Sequence, residues 1–162
     1  GGDIGAQLLT LNCDRFLEVG QGLLPTGRPP EVDGGVFDFR GGKPIGQDIG
    51  ADDPQLKLGN GYDHCMILQK DRPGDYALAA IAKDPASGRT LRIFTTQPAV
   101  QFYTGSFLNG RPGKNGVPMQ TRTGFCLESQ HYPDSPHFRD FPDALLLKGE
   151  PYHQVTVWQI EA

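Results

Sequence analysis

At 162 residues, with a net charge of −4 and its acidic and basic residues interspersed, the chain has room for one ordinary domain and lacks the basic stripe that nucleic acid requires. No apolar run approaches the roughly 20 residues needed to span a bilayer, and no Lys/Arg-rich amphipathic segment suggests a membrane surface. The 22 glycines and 14 prolines are spread out, as turns of an all-β protein would be and a disordered tail would not.

In chain order, Gln7–Cys13 alternates apolar and polar residues with period two and predicts a half-buried strand. From Gly20 to Asp53 glycine and proline recur, with Val36-Phe-Asp-Phe39 as the only compact apolar cluster, which predicts a surface excursion with one anchor. A glycine turn at Gly61-Tyr-Asp-His64 leads into the apolar run Cys65–Leu68. Tyr76–Ala82 and Thr90–Thr96 flank Lys83-Asp-Pro-Ala-Ser-Gly-Arg89, an antiparallel hairpin whose Pro and Gly are breakers. Ala99–Thr104 and Gly124–Glu128 are two further strands, and Tyr152–Ile160 alternates like the first. With so many short strands and almost no helix, the expected class is an all-β antiparallel sandwich, a closed barrel being the other possibility, with no internal domain boundary.

Cys13, Cys65 and Cys126 are odd in number, widely spaced and set in apolar segments, which predicts buried free thiols in a reducing compartment, here the cytoplasm. His131 and His137 are separated by prolines, and neither a His-Glu-x-x-His motif nor a Cys pair occurs, so no metal is expected. A nucleotide cofactor is not expected either, since the chain has no Gly-x-Gly-x-x-Gly or phosphate-cradling Gly-Lys-Ser/Thr loop.

Three segments carry candidate chemistry. Gly124-Phe-Cys-Leu-Glu128 sets Glu128 on an apolar strand that runs into the stiff polar turn Gln130–Pro136. A carboxylate taken out of water there is costly unless something pairs with it or uses it, which makes Glu128 the first candidate for a base. Gly61-Tyr-Asp-His64 offers an aromatic ring and the carboxylate of Asp63, a common grip for a sugar, although an Asx-type turn opening a strand fits the same residues. On the strand from Ala99 to Thr104, Gln101 and Tyr103 share a face, as they would on any amphipathic strand.

Taken in that order, Gly61-Tyr-Asp-His64, Thr-Gln-Pro-Ala-Val-Gln-Phe-Tyr-Thr-Gly-Ser-Phe-Leu (Thr96 to Leu108) and Cys-Leu-Glu-Ser-Gln-His-Tyr-Pro-Asp-Ser-Pro (Cys126 to Pro136) resemble the galactose mutarotase (aldose 1-epimerase) family. Leu24-Pro-Thr-Gly27, Phe37-Asp-Phe-Arg40 and Lys148-Gly-Glu-Pro-Tyr152 resemble its landmarks too. The resemblance implies a large antiparallel β-sandwich that interconverts the anomers of galactose and glucose without cofactor or metal. It implies Glu128 as the base at the C1 hydroxyl, with Asp63 and Gln101 in the sugar pocket. It also implies that residues 1–162 are the C-terminal part of a single domain. The family's acid is a histidine of its first half, expected upstream of this chain, so the expected partners besides the monosaccharide are that N-terminal half or a self-associated copy. Two rivals remain at this stage. One is a non-catalytic carbohydrate-binding module gripping sugar with Tyr62, Asp63, Gln101 and Glu128; the other is a glycoside hydrolase using Glu128 and Asp63 as its carboxylate pair.

Overall fold

The computed structural model describes residues 2–162. Among the described residues nine strands form two antiparallel sheets: β1 (Leu8–Leu11), β2 (Cys13–Phe16), β3 (Lys43–Pro44), β4 (Asp63–Leu68), β5 (Ala77–Lys83), β6 (Thr90–Thr95), β7 (Ala99–Tyr103), β8 (Cys126–Gln130) and β9 (Thr156–Glu161). One sheet has the order β3-β1-β5-β6-β9 and the other β2-β4-β7-β8. The expected sandwich is therefore present. Its core lies between the sheets, where Leu9 and Leu11 of β1, Ala80 and Ala82 of β5 and Ile93 of β6 meet Met66 of β4 and Val100 and Phe102 of β7.

The first predicted strand, Gln7–Cys13, proves to be two. At Asn12 the chain leaves one sheet for the other, and the Asn12 amide donates to Leu78 O at 3.1 Å and Gln69 O at 3.3 Å, so one side chain ties the strands on either side of the crossing. Alternation continues through such a crossing, because Leu11 and Cys13 both face the core, and the pattern alone does not reveal the change of sheet.

The excursion from Gly20 to Asp53 is more deeply anchored than expected. Phe37 and Phe39 are buried as anticipated, but so are Val32, Ile45 and Ile49, and the segment also contributes β3 to a sheet edge. It ends in the one α-helix among the described residues, α1 (Pro54–Gly59), whose amide groups at Gln55 and Leu56 are capped by the Asp53 carboxylate, with Pro54 at the first turn. Asn60 closes the helix in the left-handed conformation, and Gly61 follows at φ +128°. A Cβ at Gly61 would lie 2.8 Å from Ser106 Oγ and 2.9 Å from Thr104 Oγ1, so both the backbone angle and the space require glycine. That turn aims the next residues, Tyr62 and Asp63, into β4.

The two ends of the sheets differ from expectation in exposure. Trp158 and Ile160 of β9 stand opposite Ile93 and Leu91 and so continue the core face of their sheet, yet they are 68% and 74% exposed, because β9 is the edge strand. The alternation of Tyr152–Ile160 is real from Thr156 onward, but the strand is not half-buried. Cys13 and Cys65 are buried free thiols, their acidity suppressed by burial to a pKa of about 12, whereas Cys126 is an exposed free thiol.

Candidate active site

The three candidate residues come from three neighbouring strands. In the ladder of β4, β7 and β8, Cys65 pairs with Gln101 and Gln101 with Glu128; one step along, Asp63 pairs with Tyr103 and Tyr103 with Cys126. Successive side chains alternate across a sheet, so Asp63, Gln101, Tyr103, Cys126 and Glu128 all rise from the face turned away from the sandwich core. Gln101 stands between the two carboxylates: it is the direct cross-strand neighbour of Glu128, and its Nε2 donates to Asp63 Oδ1 at 2.8 Å. One strand separates Asp63 from Glu128.

Their environments differ. Asp63 is half-buried, and burial raises its pKa above the usual carboxylate value while the hydrogen bond from Gln101 opposes the rise. Glu128 is exposed, and its flanking Phe125 and Leu127 are only partly buried. The expectation of a carboxylate sunk in a buried apolar strand is therefore corrected: β8 is the edge of its sheet, and the desolvated carboxylate of this face is Asp63. The apolar sequence around Glu128 reflects the inner face of β8, where Phe125 and Leu127 pack against the core.

Immediately behind Asp63, on the inner face, His64 is fully buried. Its Nδ1 accepts from the Asp63 N–H at 3.1 Å, and its ring meets the rings of Phe37 and Phe16 edge-on at 4.7 and 5.8 Å. Burial lowers its pKa to about 4, so it is a neutral ring that fills the core and holds the Asp63 backbone. Tyr62 likewise faces inward, stacked on Phe102, with its hydroxyl donating to Val36 O at 2.9 Å. It is thus a core aromatic rather than part of a sugar grip, and the aromatic side chain in the row with Asp63 and Gln101 is Tyr103. Sequence periodicity places it there, on one face with Gln101. The Tyr103 hydroxyl accepts from the Phe107 N–H at 2.9 Å, and the two rings lie nearly parallel.

The other histidines lie away from this row. His137 Nδ1 contacts the Asp134 carboxylate, and His131 and His153 line a cleft of about 750 Å³ beyond the far ends of β7 and β8, a cleft that includes none of Asp63, Gln101 and Glu128. Among the described residues no group of three or more His, Cys, Asp or Glu side chains is arranged to hold a metal ion. No helix among them is long and apolar enough to cross a membrane. What the outer face offers chemically is one solvent-accessible carboxylate, one half-buried carboxyl group and an amide between them.

Comparison with known proteins gives one consistent result. A family model described as aldose 1-epimerase matches residues 2–159. Galactose mutarotase of Homo sapiens is 41% identical over 149 residues, covering 91% of this chain and 42% of that protein. Aldose 1-epimerase of Escherichia coli (strain K12) is 37% identical over 162 residues, covering 99% of this chain and 46% of that protein. Among solved structures, an aldose epimerase homologue from C. elegans superposes with a TM-score of 0.85 at 29% identity, covering 98% of this chain and 46% of that one. Galactose 1-epimerase from Lactobacillus acidophilus NCFM gives 0.77 at 30%, covering 99% and 45%. The chain thus spans less than half the length of these relatives.

Proposed function

Because the chain belongs to the aldose 1-epimerase family, we propose that it carries the base-bearing part of a site that interconverts the α and β anomers of aldohexoses such as galactose and glucose. The observation that carries this reading is the cross-strand row in which Gln101 lies opposite Glu128 and hydrogen-bonds Asp63, three polar groups on one open sheet face.

Opening a cyclic hemiacetal needs a base at the C1 hydroxyl and an acid at the ring oxygen. Glu128 takes the proton of the C1 hydroxyl as the C1–O5 bond breaks and C1 becomes the aldehyde carbonyl, and the acid protonates O5. Rotation about C1–C2 turns the other carbonyl face toward O5, the acid takes back its proton as O5 attacks C1, and Glu128 returns its proton to the new C1 hydroxyl. The reaction is redox-neutral and the proton count closes. Asp63 accepts from sugar hydroxyls, and Gln101, whose Nε2 is committed to Asp63, keeps its amide oxygen free to accept from another.

The acid, in this reading, is a histidine outside these residues. His64 is buried on the wrong face of the sheet, and His131 and His153 belong to a separate cleft. Residues 1–162 then form the C-terminal part of one domain, completed by the N-terminal half of a longer chain or by a second copy. Unpaired edges at β8 and β9 and the exposed Trp158 and Ile160 suit such a partner. The three free thiols suit the cytoplasm.

The test is polarimetry on freshly dissolved α-D-galactose with the 162-residue chain, alone and mixed with the upstream half of a relative. A rate equal to that of buffer for the chain alone, rising on mixing, is the expected result. Catalysis by the chain alone would put the acid within these residues; no catalysis in either case would sink the epimerase reading.

A further inference from the structure

The cleft beyond the far ends of β7 and β8 is built from the β4–β5 and β6–β7 connections, the turn after β8, and the stretch leading into β9. Gln97, His131, Tyr132, Phe141, Tyr152 and His153 are among its lining residues. Tyr132 meets Phe141 edge-on at 5.2 Å, and both pack over Ala99 and Cys65 on the outer face of the four-stranded sheet. That aromatic pair stands between the cleft and the row of Gln101 and Glu128, two residues further along each strand.

The polar groups of the cleft are preset. The buried amide of Gln97 donates to the Tyr152 hydroxyl at 2.7 Å, which leaves the Tyr152 proton free to be donated outward. His131 Nδ1 is buried without a hydrogen-bond partner, a cost that calls for an explanation at a cleft wall. The carboxylates of Asp140 and Asp143 also line the space, and none of the lining residues is Lys or Arg. An anionic ligand such as a phosphate or nucleotide is therefore disfavoured, and the donor set is not arranged for a metal ion among the described residues.

Aromatic rings beside hydrogen-bonding groups suit a ligand that is neutral, rich in hydroxyls and flat enough on one side to lie against those rings. We propose that this cleft is a second carbohydrate site, taking a neutral saccharide between the rings of Tyr132, Phe141 and Tyr152, with hydroxyls bonded to Tyr152, His131 and the Asp140 and Asp143 carboxylates. The inference does not rest on the role of Glu128.

The experiment is an NMR titration of the full chain with methyl β-D-galactopyranoside and, separately, methyl β-D-glucopyranoside, following the Cε1–Hε1 signals of the four histidines. Both glycosides are locked at C1, so no anomer exchange accompanies binding. Saturable shifts of His131 and His153 with a common Kd are expected for at least one glycoside, with His64 and His137 unmoved. Tyr152→Ala, at an exposed position, should weaken that Kd on the order of tenfold, as loss of one aromatic contact does. Glu128→Gln should leave it unchanged. Silence of His131 and His153 with both glycosides overturns the proposal, as does loss of the response in Glu128→Gln, which would make it an echo of sugar held at the sheet face. An unchanged His64 signal in each variant shows that the fold is intact.

Discussion

The two faces of the four-stranded sheet use alternate residues of the same strands for opposite purposes. Inward, Tyr62, His64, Met66, Val100 and Phe102 are fully buried. Outward, Asp63, Gln101 and Glu128 form a polar row open to solvent. Asp63 and His64 make the contrast at adjacent positions: burial raises the pKa of one and lowers that of the other, which pushes both toward neutrality. On the inner face that neutrality serves packing. On the outer face it leaves a half-buried carboxyl group held by an amide, so that, on the proposed reading, residues that carry stability and residues that carry chemistry are separable by substitution.

The largest expected effect is on the inner face. Phe102→Ala removes a fully buried ring that stacks on Tyr62 and meets Phe39 edge-on, and should cost about 3–5 kcal/mol in denaturant unfolding. An equally large loss of stability from Glu128→Gln would erase the distinction between the faces. Glu128→Gln should instead lower anomer exchange by roughly 10²–10⁴-fold in the protein completed by its upstream half, with the unfolding midpoint unchanged, since Glu128 is exposed.

Acid should weaken the inner face through His64. Its folded pKa of about 4 lies below the ordinary 6.5, so between these values the unfolded chain binds a proton that the folded chain refuses. Stability from this group is fully present above about pH 6.5, falls as pH drops toward about 4, and is flat below, a loss on the order of 3 kcal/mol. Asp63 acts in the opposite sense: its raised pKa makes the folded state hold a proton more tightly, so acid relieves a cost there. Unfolding measured from pH 7 to 4 in the wild type and His64→Gln isolates the histidine, and parallel curves would refute its assignment as a buried neutral ring.

Gln101→Ala should have a smaller effect, about 1 kcal/mol at most, because it removes one hydrogen bond at a half-buried position. It should also raise the Asp63 pKa further, visible in the carboxyl ¹³C titration, and raise KM more than it lowers kcat. A drop in kcat alone would mean that Gln101 acts on the reacting atoms rather than through Asp63.

Much of this was legible in the chain. Period-two alternation at Gln7–Cys13, the apolar run Cys65–Leu68 and the two-faced segment Ala99–Thr104, with Gly and Pro between, specified strands of a sandwich, because a pleated strand with a face against a core can be written in few other ways. Alternation also placed Gln101 and Tyr103 on one face, and the motifs around Asp63 and Glu128 identified the family. Tertiary structure decided what alternation cannot express: which strand stands beside which, and at what register. Glu128 reads as buried from its apolar neighbours, yet it is exposed because β8 has no strand beyond it; Trp158 reads as half-buried, yet nothing lies over it because β9 is also an edge. Tyr62 reads as a sugar platform beside Asp63 until the Gly61 turn sends it inward to Phe102. A strand's own residues fix its two faces, but the environment of each face is set by neighbours distant in sequence, and it is that environment which decides whether a carboxylate meets water, an amide or a ring.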